Sequence, residues 1–299
     1  MELKNLLDQL LSQQRRKKVA VAQATDEEAL RAVQHATEHR LATFILFGDE
    51  EEILKKAEDI QLDLTLNDIV IIHTDPSEAA QKAVQFVHDG KADVLMKGNI
   101  STKLLLKEVL NKQYGLRTGK IFSHVAVFEL PNYHKFLFLT DAAMNIEPNL
   151  EEKVQIVQNA VEVAHSIDIE MPKVAPLTAI EAVNPKMQIT VDAAALTLMQ
   201  KRGQLKGCII DGPLAFDNAI STIAKERKGI DSEVAGDADI LVVPSLEVGN
   251  TLYKSFVYFG NGKVAGILKG ASAPIVLTSR ADAAETKLYS IVLGLLSSN

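Results

Sequence analysis

The sequence predicts an α/β fold: mostly parallel sheets carrying helices on both faces, in a chain long enough for one large or two ordinary domains. Three observations predict it. Short apolar runs alternate with helical segments along most of the chain, the pattern of a parallel sheet wound by helices. Aromatic residues make up only 5% of the 299 residues and Trp is absent. A core must therefore come from Leu, Ile, Val and Ala, as in helix-covered parallel sheets. The length fits one large or two ordinary domains, and the alternation breaks once, near residue 120.

The elements follow in order. Leu3, Leu6, Leu7, Leu10 and Leu11 recur at helical spacing and predict a first amphipathic helix. Val19–Ala22 reads as a strand, and Thr25 with Glu28 three residues on reads as the capping box of the next helix. Thr43–Phe47, ended by Gly48, and Ile69–Ile72 are the next strands, the latter followed by Asp75-Pro76 opening a helix. Asp93–Met96 is a fourth strand. Ser123–Leu130 and Lys135–Leu139, joined by Pro131-Asn132-Tyr133-His134, predict a hairpin. Alternation resumes with a helix over Leu150–Ser166 and a strand at Lys173–Thr178. A helix at Asp192–Lys201 and strands at Cys208–Ile210 and Ile240–Val243 follow. Strands at Val264–Leu268 and Pro274–Leu277 precede a closing helix from Ala281 to about Leu296.

The formal charge of −7 disfavours nucleic acid as the main partner, so an anionic ligand would need a local cluster of cations and amides. The densest basic run, Arg15-Arg16-Lys17-Lys18, reads as a solvated helix end. The single Cys208 sits in an apolar run and reads as a small buried residue. The seven His show no metal-ligand spacing, so no metal is expected. No run is long and apolar enough to span a membrane, and Met1-Glu2-Leu3-Lys4 does not open a signal peptide. A cytoplasmic location is the expectation.

Ligands of open parallel sheets bind outside the carboxyl ends of the strands, so the residues after each apolar run carry the search for chemistry. Lys97-Gly98 followed by Ser101-Thr102 brings glycine, hydroxyls and a cation to one strand end and one helix start, a ready anion site. A helix cap with surface lysines is the alternative, and the coincidence of glycine, hydroxyls and lysine at one strand end favours the anion site. Thr140-Asp141 follows an apolar strand, where an acid serves either as an N-cap or in a site. Asp211-Gly212-Pro213 is first a turn signal, with Asp211 and Asp217 exceeding what a turn needs. Pro244 to Lys254 contains Gly249 and Asn250, which can shape a turn, cap a helix or meet an anion. Ser279-Arg280 ends the last strand and opens the last helix. Arginine there opposes the helix macrodipole unless an anion lies between.

These blocks resemble those of the phosphate acetyltransferase and phosphate butyryltransferase family. Asp211-Gly212-Pro213-Leu214, Asp239–Pro244 continuing through Gly249-Asn250 to Tyr253-Lys254, and Leu277-Thr278-Ser279-Arg280 look like its hallmark blocks, in the family's order. Met96-Lys97-Gly98 with Ser101-Thr102, and Thr140 to Asn145, match in order too, so the resemblance spans roughly residues 90 to 290. The butyryl branch is favoured by Glu181 to Met187, Gly115-Leu116-Arg117-Thr118-Gly119 and Ser279-Arg280-Ala281-Asp282. Two positions depart. Ser245 stands where the family commonly has Asp. Thr286, beside Glu285, stands where the acetyltransferases have the aspartate presumed to be the base.

The resemblance implies an isocitrate-dehydrogenase-like plan: two three-layer α/β domains flanking a cleft, residues 1–135 with 270–299 and residues 136–269. It implies conversion of a short-chain acyl-CoA and phosphate to acyl phosphate and CoA in a ternary complex. Butyryl-CoA is the expected substrate and acetyl-CoA the alternative. Coenzyme A is then a substrate, and no cofactor is tightly bound. Arg280 would hold phosphate and developing charge, Ser279 would donate to the same centre, and Glu285 would be the base. Ser101 and Thr102 would contact phosphate, with Lys107 or Arg117 as a second cation. Lys97, Gly98, Thr140, Asp141, Asp211, Gly212, Asn250 and Lys254 would border the substrates. A homo-oligomer, dimer or larger, is implied. Two rivals are a metal-dependent NAD(P) decarboxylating dehydrogenase, for which Asp231, Asp237 and Asp239 are the nearest acidic cluster, and a non-catalytic CoA or acyl phosphate binder.

Overall fold

A computed structural model describes residues 2–13, 15–65, 68–278 and 282–298. The chain opens with α1 (Asn5–Leu11), β1 (Lys18–Ala22), α2 (Glu27–Glu38), β2 (Thr43–Gly48) and α3 (Glu50–Asp59). There follow β3 (Ile69–His73), α4 (Ala79–His88), β4 (Val94–Lys97) and α5 (Thr102–Val109). The middle carries β5 (Ser123–Glu129), β6 (Leu137–Thr140), α6 (Leu150–Ser166), β7 (Lys173–Pro176), α7 (Gln188–Lys201) and β8 (Ile209–Ile210). The remainder is α8 (Phe216–Ile220), α9 (Thr222–Lys228), β9 (Ile240–Val242), α10 (Leu246–Tyr258), β10 (Lys263–Lys269), β11 (Ile275–Val276) and α11 (Ala284–Leu296). Two compact units result: residues 2–120 with 265–299, and residues 121–264. The sequence expectation set these limits at 135/136 and 269/270; the second unit instead begins before the β5–β6 hairpin.

In the unit of residues 2–120 and 265–299 the strand order is β3-β2-β1-β4-β11-β10. All neighbours are parallel except β10 and β11. Val19 to Ala22 and Val94 to Lys97 are buried at every position, which requires helices over both faces of the sheet. α4 packs on β1, β2 and β4, and α11 packs on α1, α2, β4 and β11. α11 is buried continuously from Lys287 to Leu296. Its carboxyl end is capped by Lys17, whose Nζ donates to Leu295 O at 2.9 Å and Ser298 O at 2.7 Å. One residue of the basic run is thus a buried cap rather than a solvated helix end, and burial pushes its pKa down. Strand order reverses between β1 and β4, so their carboxyl ends form the switch point of this sheet.

Several helix starts differ from the spacing-based expectation. α2 is capped by Asp26, whose carboxylate accepts from Ala29 N, rather than by Thr25. Asp75-Pro76 forms a turn whose Asp75 carbonyl accepts from Glu78 N and Ala79 N, and the helix starts only at Ala79. α7 begins at Gln188 rather than Asp192; α11 runs from Ala284, and Ala281, where the sequence opens this helix, lies outside the described residues.

In the unit of residues 121–264 the order is β5-β6-β9-β7-β8. β5 and β6 form the expected antiparallel hairpin, and β6, β9, β7 and β8 run parallel. The hairpin turn is held by Tyr133, whose hydroxyl donates to Ala238 O, and by Lys135, which pairs with Asp237 and Asp239. α6 starts with a complete Asn149–Glu152 capping box. Phe128 stacks edge-on against Phe256 and Tyr253 within the core formed by Leu139, Leu177, Leu241 and Val243. α6 and α7 are joined by a buried ion pair, Lys153 Nζ to Asp192 Oδ2 at 2.6 Å. Gln188 Nε2 donates to the other carboxylate oxygen at 2.9 Å.

Candidate active site

At the switch point, Lys97 ends β4 and is buried, with its Nζ 3.3 Å from Gly98 O. Gly98 N donates to Ala22 O at 2.9 Å, and Asn99 N donates to Gln23 O at 2.7 Å. A Cβ on Gly98 would lie 2.2 Å from Gln23 O. The close approach that glycine permits here is therefore to the backbone leaving β1, where the sequence suggested a ligand. Ser101 caps α5 by accepting from Leu104 N at 3.2 Å, and both Ser101 and Thr102 are exposed. Their hydroxyls stand at a helix N-terminus open to an anion. Lys107 lies in the last turn of α5, about 8 Å along the axis from Thr102. Its ammonium is 3.7 Å from Glu108. Arg117 is exposed on a segment bridged antiparallel to Ala271 and fixed by Thr118, which donates to Gly270 O at 2.5 Å. Glu285 is exposed in the first turn of α11 and accepts from the Tyr289 hydroxyl at 2.9 Å. Ser279 and Arg280 lie outside the described residues.

In the unit of residues 121–264 the other candidates gather at the carboxyl ends of the parallel strands. Thr140 ends β6 and donates to His124 O. Asp141, 2% exposed, accepts from the backbone N–H groups of His124, Ala143, Met144 and Asn145 and from the Asn145 side chain. Asp141 thus knots a turn, and its carboxylate oxygens are already occupied. The first turn of α10 rests on this knot, because a Cβ on Gly249 would lie 2.6 Å from Asp141 O. Asn250 follows directly. It is exposed, as is Lys254 one turn on, so the two share a face of α10. Asp211 and Gly212 end β8, two strands from β9, with Gly212 O accepting from the buried Thr197 hydroxyl at 3.3 Å. The fold brings Thr140, Asp141 and Asn250 together and sets Asp211 and Gly212 further along the same strand ends.

A cavity of about 500 Å³ that residue spacing alone did not locate lies over the ends of β7 and β9. Its walls include Leu177, Ile189, Phe216, Pro244, Val248 and Leu252, with Thr178, Glu247 and Thr251 adding polar groups. The Glu247 carboxyl is held below its ordinary pKa by hydrogen bonds from its own backbone N–H and from Ser245. Leu177, Ile189 and Pro244 also border the buried Lys153–Asp192 pair. The apolar residues of the polar blocks were the only available signal.

The acidic cluster considered for a metal is committed elsewhere. Asp237 pairs with Lys135, Lys173 and His134, and Asp239 with Lys135. Among the described residues no group of three or more His, Cys, Asp or Glu is placed to hold a metal ion. Cys208 is buried, and burial pushes its thiol up to about 11, which removes it as a nucleophile at neutral pH. No described helix is long and apolar enough to cross a membrane.

Comparison with known proteins gives a consistent result. The family model described as phosphate acetyl/butaryl transferase matches residues 3–82 and 77–295. A probable phosphate butyryltransferase of Bacillus subtilis strain 168 is 54% identical over 299 residues, covering 100% of this chain and 98% of that protein. A phosphate acetyltransferase of Thermotoga maritima is 47% identical over 277 residues, covering 93% of this chain and 94% of that protein. The crystal structure of a branched-chain phosphotransacylase from Enterococcus faecalis V583 matches with a TM-score of 0.81 at 37% identity, over 94% of this chain and 98% of that one.

Proposed function

The chain belongs to the phosphate acetyl/butyryl transferase family, and from that premise we propose that it transfers a short acyl group, butyryl most readily, between coenzyme A and phosphate. It is a phosphate acyltransferase. The observation that carries the butyryl preference is the 54% identity to the B. subtilis protein over the whole chain. The relative named for acetyl transfer, at 47%, keeps acetyl-CoA as the competing substrate.

In the proposed reaction a phosphate oxygen attacks the thioester carbonyl, the C–O bond forms, the C–S bond breaks and the thiolate takes up a proton. Both substrates are held together in a ternary complex, so the enzyme gains from proximity without a covalent intermediate. Arg280 holds phosphate and the charge developing on the carbonyl oxygen, and Ser279 donates to the same centre. Glu285 exchanges the thiol proton. The exposed N-terminus of α5, with Ser101 and Thr102, contributes anion-binding donors, and Lys107 or Arg117 a second cation. Lys97 and Gly98 support the strand end of β4, Asp141 and Asp211 support the strand ends of the unit of residues 121–264, and Asn250 and Lys254 offer polar contacts from α10 of that unit. Coenzyme A acts as substrate rather than resident cofactor. The same reading carries a cytoplasmic homo-oligomer, a dimer or larger.

The test is release of free CoA, followed with a thiol reagent, from butyryl-CoA and from acetyl-CoA, with and without phosphate. Release should require phosphate, be faster with butyryl-CoA, and fall about 10²–10³-fold in Arg280→Ala, as for loss of one oxyanion donor. No phosphate-dependent release from any short acyl-CoA by folded protein would refute the reading.

A further inference from the structure

We propose that the cavity over the ends of β7 and β9 holds the acyl chain of the thioester, and that Phe216, Val248 and Leu252 set which chains are used. The inference rests on the phosphate acyltransferase reading and adds a subsite to it. Two polar blocks converge on this cavity from separate parts of the sequence. Asp211-Gly212 leaves β8 and the chain reaches Phe216 four residues later. Pro244 leaves β9, and the helix that displays Asn250 and Lys254 also supplies Glu247, Val248, Thr251 and Leu252. On an α-helix of 3.6 residues per turn, residues 247 and 251 lie beside the strip of 250 and 254, with 248 and 252 next around the cylinder. Polar strip and apolar wall are thus adjacent stripes of one helix. Thr140 and Asp141 lie under the same helix through the Gly249 contact, which fixes the wall to the β6 strand end.

The chemistry of the lining matches an uncharged aliphatic chain. Seven apolar residues line the space, and the one charged group, Glu247, is an anion that disfavours acyl groups ending in a carboxylate. The size is generous. A cavity of about 150 Å³ admits benzene, so a volume of about 500 Å³ admits straight four-carbon and branched five-carbon acyl groups with space remaining. Each methylene moved from water to such a wall is worth roughly a fourfold gain in binding, so butyryl should be favoured over acetyl by about 15-fold.

Narrowing the cavity therefore has a defined signature. Val248 is 38% exposed, so a larger side chain there is accommodated without disturbing the core. In Val248→Phe the ratio of kcat/KM for butyryl-CoA to that for acetyl-CoA should fall by about tenfold, within the range one or two methylenes can shift. Phe216→Ala should move the ratio of hexanoyl-CoA to butyryl-CoA upward by a similar factor. Thermal melts of both variants establish that they are folded. An equal change for all chain lengths, or unchanged ratios in two folded variants, would overturn the pocket assignment while leaving the transferase reading intact. Absence of turnover by the unmodified protein with every thioester would instead remove that reading, and the pocket with it.

Discussion

Asp141 illustrates what a single carboxylate can settle. The sequence left it open as a helix cap or a site residue, since either role puts an acid after an apolar strand. The structure gives it four backbone donors and the Asn145 side chain at 2% exposure, in a turn on which α10 rests. Its carboxylate organises the strand end rather than waiting for a ligand. Asp141→Ala should cost at least about 2 kcal/mol, because each buried donor left unpaired costs about 1–3 kcal/mol. Urea denaturation measures it, and a loss below 0.5 kcal/mol (on the order of an ordinary surface change) would show the turn to be held by other contacts. The residues proposed for the acyl pocket are ones that spacing could not show, because they are apolar. Phe216, Val248 and Leu252 are unremarkable in sequence because apolar residues after strands are what packing also demands. Only the approach of four separate segments makes them a wall.

At the scale of elements, the alternation of apolar runs and helical segments located every strand, because period and length are local properties. Helix starts were less legible. Thr25 and Asp26 are both good caps, and the choice of Asp26 depends on which oxygen reaches Ala29 N. Asp75-Pro76 is as good a turn as a helix opening, and the hydrogen bonds to the Asp75 carbonyl make it a turn. Gly98 packs against the backbone leaving β1, a neighbour that sequence does not show, since it does not say which strand lies alongside. Its absent Cβ would meet Gln23 O and Ala22 O at 2.2 and 2.8 Å, both immovable backbone atoms. Gly98→Ala should therefore separate the ends of β1 and β4 and destabilise the protein by about 1–3 kcal/mol, the usual penalty of overpacking. Amide exchange should quicken at Gly98 and Asn99, whose N–H groups donate to Ala22 O and Gln23 O. A neutral substitution with unchanged protection at those amides would show that the strand ends move apart without cost.

For the whole molecule, the acidic balance of 39 carboxylates to 32 basic side chains makes the response to acid informative. The carboxylate that stands out is Asp237, where hairpin, strand and loop meet. Burial pushes its pKa up, but hydrogen bonds from Lys173 and Lys135 outweigh this and bring it down to about 2. In the unfolded chain the same group titrates near 3.9. The folded state therefore binds fewer protons than the unfolded state between these values, and stability must fall as pH falls through that window. Above about pH 4 the contribution is fully present, and by about pH 2 it is gone. Its size is modest, because the side chain is 35% exposed and the pairs are partly screened by solvent. Asp237→Asn removes the group's titration and leaves Lys135 paired with Asp239. The urea midpoint of the unmodified protein should exceed that of the variant at pH 7 and pH 5, and the two should converge between pH 4 and pH 2. A difference that stays constant across that range would mean that Asp237 stabilises through packing rather than charge, and the acid sensitivity would then have to lie with other carboxylates.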